Sequence, residues 1–551
     1  MKSQMAATKK SFADNDVQGI ERLTQVLFSV INEYSSIDAL LQVNKYFFYE
    51  VKRNMYYYRL NKGHSMKYQM SKVFRETVNW RVNDTSRQLG VDLSHSDIED
   101  TSMLGDVHTL DLFGCKNITD ASALGSVHTL SLEGCDNIVD VSALGGVHTL
   151  DLSNCYNVTD VSALGSVHTL DLSFCEKISD ISALGQVHTL YLCGCDRITD
   201  VGALKSVHTL DLSQCTGVTE VNALQSVRTL DLCGCESIVD VSALGSVHTL
   251  GLSGCRGITN VSMLNRVHTL DISNCEGVVD FSDLGSVHNL NLSKCRINDV
   301  SVFKSVHTLQ LCGCEEVVDV ASLGKAHTLD LSGCIGITNV SALANVHTLI
   351  LSECSGVTDV SALGHVIVLD LHKCTGVTDV SALGGVNVLD LSCSNVTDVN
   401  ALVGVHTLDL SFCTGVTDIS ALGGIHTLNL SNCDNIIDVS MLGNVHALNL
   451  SHCDGIKDVS ALGDVHSLNL SGCVNVTNVS MLGGVHALCL SRCDGVTDVS
   501  RLGKVHYLDL SECLGVTDVS ALGDIHTLIL SGCRNVATDV SAFKGVQHFR
   551  K

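Results

Sequence analysis

Three residue types able to do chemistry recur along this chain at fixed spacing. Nearly all of its 26 cysteines sit one per twenty-residue cassette, at Cys115, Cys135, Cys155 and onward to Cys533. A histidine follows the first valine of almost every cassette, as at His108, His128, His148, His268, His406 and His526. Arg228, Ile367 and Asn387 interrupt that column. Aspartates recur at two places: between two leucines (Asp111, Asp151, Asp171, Asp211, Asp271, Asp370) and in a later turn (Asp120, Asp140, Asp160, Asp180, Asp359, Asp518). Thiols and imidazoles are metal ligands, imidazoles titrate near neutral pH, and His, Asp and Ser together suggest nucleophilic catalysis.

Repetition argues for a plainer reading of each column. A catalytic triad needs one unique, preorganised nucleophile, and a composition copied into every cassette singles out none. Cysteine is small, apolar and a weak S–H donor, so a regular column of it reads as core packing. The pairs Cys193/Cys195, Cys233/Cys235 and Cys312/Cys314 place one sulfur inside and one outside a strand, whereas a structural zinc site needs four convergent ligands. The turn aspartates read as caps for backbone N–H groups; calcium would require several convergent oxygens. The histidines read as one tolerated residue multiplied by duplication. No P-loop or dinucleotide fingerprint occurs. The expectation is a chain with no catalytic residues, cofactor or metal.

The elements that hold these columns follow from the cassette. One copy runs Val127-His128-Thr129-Leu130-Ser131-Leu132-Glu133-Gly134-Cys135-Asp136-Asn137-Ile138-Val139-Asp140-Val141-Ser142-Ala143-Leu144-Gly145-Gly146. Its apolar frame is V-x-x-L-x-L-x-x-C-x-x-V/I-x-x-V-x-x-L. The alternating L-x-L predicts a short strand with one face in the core. The Asp-Val-Ser-Ala-Leu segment predicts a single turn or 3₁₀ turn. Thr and Asp should project from a concave sheet, with His at its edge. One coil offers about seven apolar side chains, each contributing roughly 1.5–3 kcal/mol when buried. Ordering its backbone costs about 1–2 kcal/mol per residue, so coils must stack to fold.

Composition sets further bounds. Residues 1–90 hold 14 Lys and Arg against 8 Asp and Glu, and the remainder holds 20 against 51. An acidic array is unsuited to neutralising phosphates, which excludes nucleic acid as a partner and favours basic or polar proteins. The N-terminus lacks an apolar run resembling a signal peptide, and no apolar stretch has the length of a membrane span. Unpaired thiols fit a reducing compartment, cytoplasmic or nuclear. Residues 1–18 read as a disordered tail, 19–87 as a small helical domain, 88–545 as an array of about 23 coils, and 546–551 as a truncated end. Between copies the sequence varies most beside the cysteine, at Phe113, Tyr156, Phe174, Gln214, Lys294 and Arg492. These loop-edge positions are where a target protein would be read.

The frame L-x-x-L-x-L-x-x-C/N-x-L/I resembles the leucine-rich repeat over about residues 88–551. Val357-Thr358-Asp359-Val360-Ser361-Ala362-Leu363 looks like the convex half of internalin-type repeats. The cysteine resembles that of the cysteine-containing class found in F-box proteins. The resemblance implies an α/β solenoid, a parallel-sheet superhelix used for protein recognition. A second resemblance covers about forty N-terminal residues. Leu23, Leu27, Ile31, Leu40, Leu41, Val43 and Phe47, followed by Tyr57-Tyr58-Arg59-Leu60, are similar to an F-box, with Thr24 where that family has proline. This implies docking to the Skp-type adaptor of a cullin–RING ubiquitin ligase, the repeats holding the substrate. On the alternative reading the segment only caps the first coil, and the chain is a stand-alone binder or an acidic decoy that mimics DNA.

Overall fold

The computed structural model describes residues 57–60, 62–84, 88–536, 546 and 548–550. The chain forms two compact units, Met1–Cys155 and Tyr156–Lys551.

In the first unit a parallel sheet runs in chain order through β1 (Tyr57–Arg59), β2 (Gln88–Asp92), β3 (Thr109–Asp111), β4 (Thr129–Ser131) and β5 (Thr149–Asp151). Two helices, α1 (Lys62–Met70) and α2 (Lys72–Asp84), lie between β1 and β2. Tyr68 is fully buried and its hydroxyl donates to Asn79 Oδ1 at 2.6 Å. Arg75 closes the helix junction by donating to the carbonyls of Tyr68 and Gln69. Ser65 binds the helices to the sheet: its Oγ donates to the Leu60 carbonyl and accepts from the Asp92 N–H. The last stretch of the F-box-like segment, Tyr57–Arg59, is therefore a strand, in parallel register with Gln88–Gly90.

The second unit repeats one coil from strand Thr169–Asp171 to strand His548–Arg550, each strand pairing in parallel with the next. The chain end is thus a strand of the sheet as well. The coil beginning at Val267 shows why the cassette folds this way. Leu270 is buried between half-exposed Thr269 and Asp271, as alternation requires. Ile272, Cys275, Val278, Phe281 and Leu284 turn inward at the later corners. The Asp280 carboxylate accepts from the Ser282 N–H at 2.9 Å and opens the 3₁₀ turn Ser282–Ser286. Every inward position stacks on its copy in the next coil, so the core is a set of parallel ladders rather than a single centre.

Candidate functional site

The cysteine corner is built for packing. In coil after coil Sγ donates to the carbonyl of the preceding coil, as Cys255 does to Leu232 at 3.1 Å and Cys275 to Leu252 at 3.1 Å. The Leu232 carbonyl also accepts the Cys235 N–H of its own coil at 3.0 Å. Burial pushes the Cys255 thiol up to about 12, so it stays protonated and keeps its donor. Cys193, Cys233 and Cys312 are half-buried, two residues before fully buried Cys195, Cys235 and Cys314, in the turn that follows each strand. One assignment is corrected. Cys393 does not hold the corner: Ser394 does, its N–H reaching the Leu391 carbonyl as the Cys374 N–H reaches Leu371.

The strand aspartates are not a generic polar face. Asp151 Oδ1 accepts both the N–H and the hydroxyl of Ser153, at 2.9 and 2.7 Å, and Asp271 accepts the Ser273 N–H at 2.8 Å. Each carboxylate folds back to close the turn after its own strand. Asp370, Asp390 and Asp409 stand side by side in register. Burial, together with those neighbouring charges, raises the Asp390 carboxyl above the usual range. His372 Nδ1 lies 2.7 Å from Ser392 Oγ beside this row. Ser392 is buried and donates its one hydroxyl proton to Asp390, which leaves its oxygen to accept from His372 Nδ1.

The histidines form stacks. In the first unit His108, His128 and His148 lie with ring centroids 4.4 and 4.6 Å apart. In the second unit the runs are His168–His208, His248–His347 and His406–His526, broken by Arg228 and by Ile367 and Asn387. Where threonine follows, imidazole Nδ1 lies within hydrogen-bond reach of its hydroxyl, 3.2 Å at His268 and Thr269.

The variable loop-edge residues are spread along the coils and do not converge. Phe113, in the first unit, packs edge-on against His95 with centroids 4.5 Å apart. Tyr156 and Phe174 are exposed. Phe174, Gln214, Lys294 and Arg492 share the position before the cysteine, where φ lies between 58° and 60°. Glycine fills this position in other coils, for example Gly194, Gly234 and Gly313, at φ 70–75°. The left-handed backbone explains the glycines and the asparagines Asn154, Asn274 and Asn432. Neighbours at this column also match one another. The Phe174 ring lies over Gly194, the Gln214 side chain over Gly234, and Lys294 over Gly313. Two neighbouring pairs carry opposite charge: Lys373 with Glu353 at 2.7 Å and Arg492 with Glu512 at 2.9 Å. Part of the variation therefore belongs to packing between coils. The adaptor residues Leu23, Leu27, Ile31, Leu40, Leu41, Val43 and Phe47 lie outside the described residues.

Sequence reading missed a trough on the strand face. Its volume is about 380 Å³, and it is lined by Thr427, Asn429, Ala447, Asn449, Ser467, Asn469, Ala487, Cys489 and Tyr507. Here small residues replace the usual threonine and asparagine replaces the usual aspartate, while Tyr507 walls one end. The asparagine carbonyls take over the turn-closing role, accepting N–H groups of Ser431, Ser451 and Ser471 at 3.1, 3.0 and 2.9 Å. The face is neutral across these coils, between Asp409 and Asp509. The signal was present as the series Thr-Leu-Asn, Ala-Leu-Asn, Ser-Leu-Asn, Ala-Leu-Cys, Tyr-Leu-Asp.

Among the described residues no helix is long and apolar enough to cross a membrane. No family model and no curated protein matches the chain. It is similar to several solved structures. One is the functional domain of InlJ from Listeria monocytogenes, described as including a cysteine ladder, at 18% identity, covering 66% of this chain and 72% of that one with a TM-score of 0.28. A TLR13–ssRNA13 complex matches at 16% identity over 85% of each chain, TM-score 0.42. The mouse RP105/MD-1 complex matches at 16% identity over 80% of this chain and 86% of that one, TM-score 0.48. These likenesses are too distant to carry function. The chain's own parallel strand ladder, inward leucine frame and 3₁₀ returns make it a leucine-rich-repeat solenoid.

Proposed function

We propose that this chain is a non-enzymatic protein-recognition scaffold, and that the trough from Thr427 to Tyr507 is where it holds its target. The trough is the observation that carries this reading, because there the cassette departs from its own repeat over five consecutive coils. Small side chains leave room for a bulky side chain of the target. The amide N–H groups of Asn449 and Asn469 supply donors for the carbonyls of an extended segment, and Tyr507 supplies an aromatic wall. The loop-edge residues Tyr156, Phe174, Gln214, Lys294 and Arg492 of the same unit offer further contacts for a basic or polar target.

The N-terminal segment gives this scaffold a role by resemblance: a substrate receptor of a cullin–RING ubiquitin ligase, docked on a Skp-type adaptor through Leu23, Leu27, Ile31, Leu40, Leu41, Val43 and Phe47. The strand at Tyr57–Arg59 favours a second reading, in which the segment completes and caps the sheet of a stand-alone binder. Purified Skp-type adaptor titrated against the full chain separates them. Saturable binding lost in Leu40→Asp supports the receptor. No binding by a chain with native circular dichroism refutes it and leaves the cap. The trough has its own test: Ala447→Arg with Ala487→Arg should abolish target binding without altering adaptor binding.

A further inference from the structure

The imidazole run from His248 to His347 sets six copies of one side chain side by side in strand register. Its six rings are exposed. Successive centroids lie 4.5–4.8 Å apart, and four of the five neighbouring pairs are within 22° of parallel. Behind five of these rings stands a threonine hydroxyl, with Nδ1 to Oγ1 distances of 3.2–3.4 Å at His248, His268, His307, His327 and His347. A hydroxyl accepts as readily as it donates. It therefore accommodates the tautomer that carries its proton on Nδ1 and its lone pair on Nε2, as it does the other. Metal-ligating histidines are commonly oriented this way, the second nitrogen held by a neighbouring acceptor.

Reach decides whether two rings can share one ion. With metal–nitrogen bonds of about 2.0–2.1 Å, two nitrogens on one ion stand at most about 4.2 Å apart. Stacked rings with centroids 4.5–4.8 Å apart aim their lone pairs in parallel, so converging two nitrogens on one ion requires both exposed rings to turn about χ1 and χ2, a motion open to surface side chains. We propose that neighbouring imidazoles of this run act in pairs as bidentate sites for a borderline divalent transition-metal ion of the nickel, copper and zinc class. Among the described residues no three His, Cys, Asp or Glu side chains converge into a cage. Each pair is thus an open site, with water completing the coordination. The pairing follows from strand register, which brings every imidazole beside its copy, and it replaces the expectation of a metal-free chain.

The test compares two full-length variants that keep the same number of histidines. Asparagine is the substitute, because Asn387 already occupies this slot. His268→Asn with His307→Asn and His347→Asn leaves His248, His288 and His327 isolated by a coil. His248→Asn with His268→Asn and His288→Asn leaves His307, His327 and His347 adjacent. His327 survives in both. Its protection by NiCl₂ against diethyl pyrocarbonate is read by peptide mass spectrometry at pH 7, with circular dichroism as the check on folding. Chelation by a pair should lower the half-protecting Ni²⁺ concentration on the order of ten-fold or more in the adjacent variant. Equal concentrations in the two variants, or no protection of His327 in either, overturn the proposal.

Discussion

Replacing Cys255 by alanine removes one buried sulfur and its bond to the Leu232 carbonyl. The void is roughly 25 Å³, worth about 0.6 kcal/mol at about 24 cal/mol per Å³. The lost transfer term is about 0.8 kcal/mol, close to one methylene. The weak S–H bond adds about 0.5 kcal/mol, at the low end for a hydrogen bond. The total is about 2 kcal/mol, and no more, because the carbonyl keeps the Cys235 N–H. Serine should cost about half as much, at roughly 1 kcal/mol, since it fills part of the void and retains a donor. The chain already places serine at this corner: Ser96 Oγ and Ser394 Oγ sit 3.5 and 3.6 Å from the thiols of Cys115 and Cys413. In a solenoid the loss stays local, so native-state hydrogen exchange over residues 227–286 is the assay, with distant coils as the internal control. If Cys255→Ser proves as destabilising as Cys255→Ala, or more so, the corner is apolar packing alone and the hydrogen-bond ladder contributes nothing.

Further expectations concern acid, thiols and close packing. His307, His426, His466 and His506 are held below 6.5 in the folded chain. The unfolded chain then binds more protons below that pH, so stability falls as pH drops through 6.5; a Tm unchanged between pH 7.5 and 5.5 would contradict this. The turn carboxylates Asp240 and Asp280 are shifted the other way, below 3.8, by the Ser242 and Ser282 N–H and hydroxyl groups; their contribution is full at neutral pH and disappears as pH falls below 3.8, giving a second, separate step in acid denaturation. Native chain should react with a thiol reagent only at Cys193, Cys233, Cys312, Cys393 and Cys489, the five half-buried thiols of 26; rapid labelling of corner cysteines would show that the coils open. Gly257→Ala would place a methyl 2.5 Å from the Ile238 carbonyl oxygen and should destabilise its coil by about 1–3 kcal/mol in exchange experiments.

The frame of the coil was legible because an inward position has few solutions: the leucines of the strand, Leu144 in the 3₁₀ turn and the capping role of Asp140 all follow from periodicity. Register at a deletion was not. With Cys393 and Ser394 adjacent, composition favours the cysteine, and only the hydrogen bond from the Ser394 N–H to Leu391 shows which residue turns inward. The strand aspartates misled for a related reason: alternation says which way a side chain leaves the strand, not that Asp271 then bends back to the Ser273 N–H. The trough was hidden because it is made by side chains that are missing, Ala447 and Ala487 in place of threonine, and no single cassette reveals it. At Phe174 and Gln214 variation was read as partner recognition, while the structure ties it to a left-handed backbone and to Gly194 and Gly234 in the next coil.

That column before the cysteine gives the array a grammar. The core ladders are alike from coil to coil, so by the core alone cassettes could be shuffled at will. At this corner they cannot. The ring of Phe174 lies over Gly194, and Arg492 is matched to Glu512. Duplicating the Phe174 cassette alone would set ring on ring, and duplicating the Arg492 cassette alone would set cation on cation, whereas duplicating either together with its partner coil keeps the match. At such corners the array extends more easily in steps of two coils than of one, and there the order of cassettes carries information that the alike cores do not.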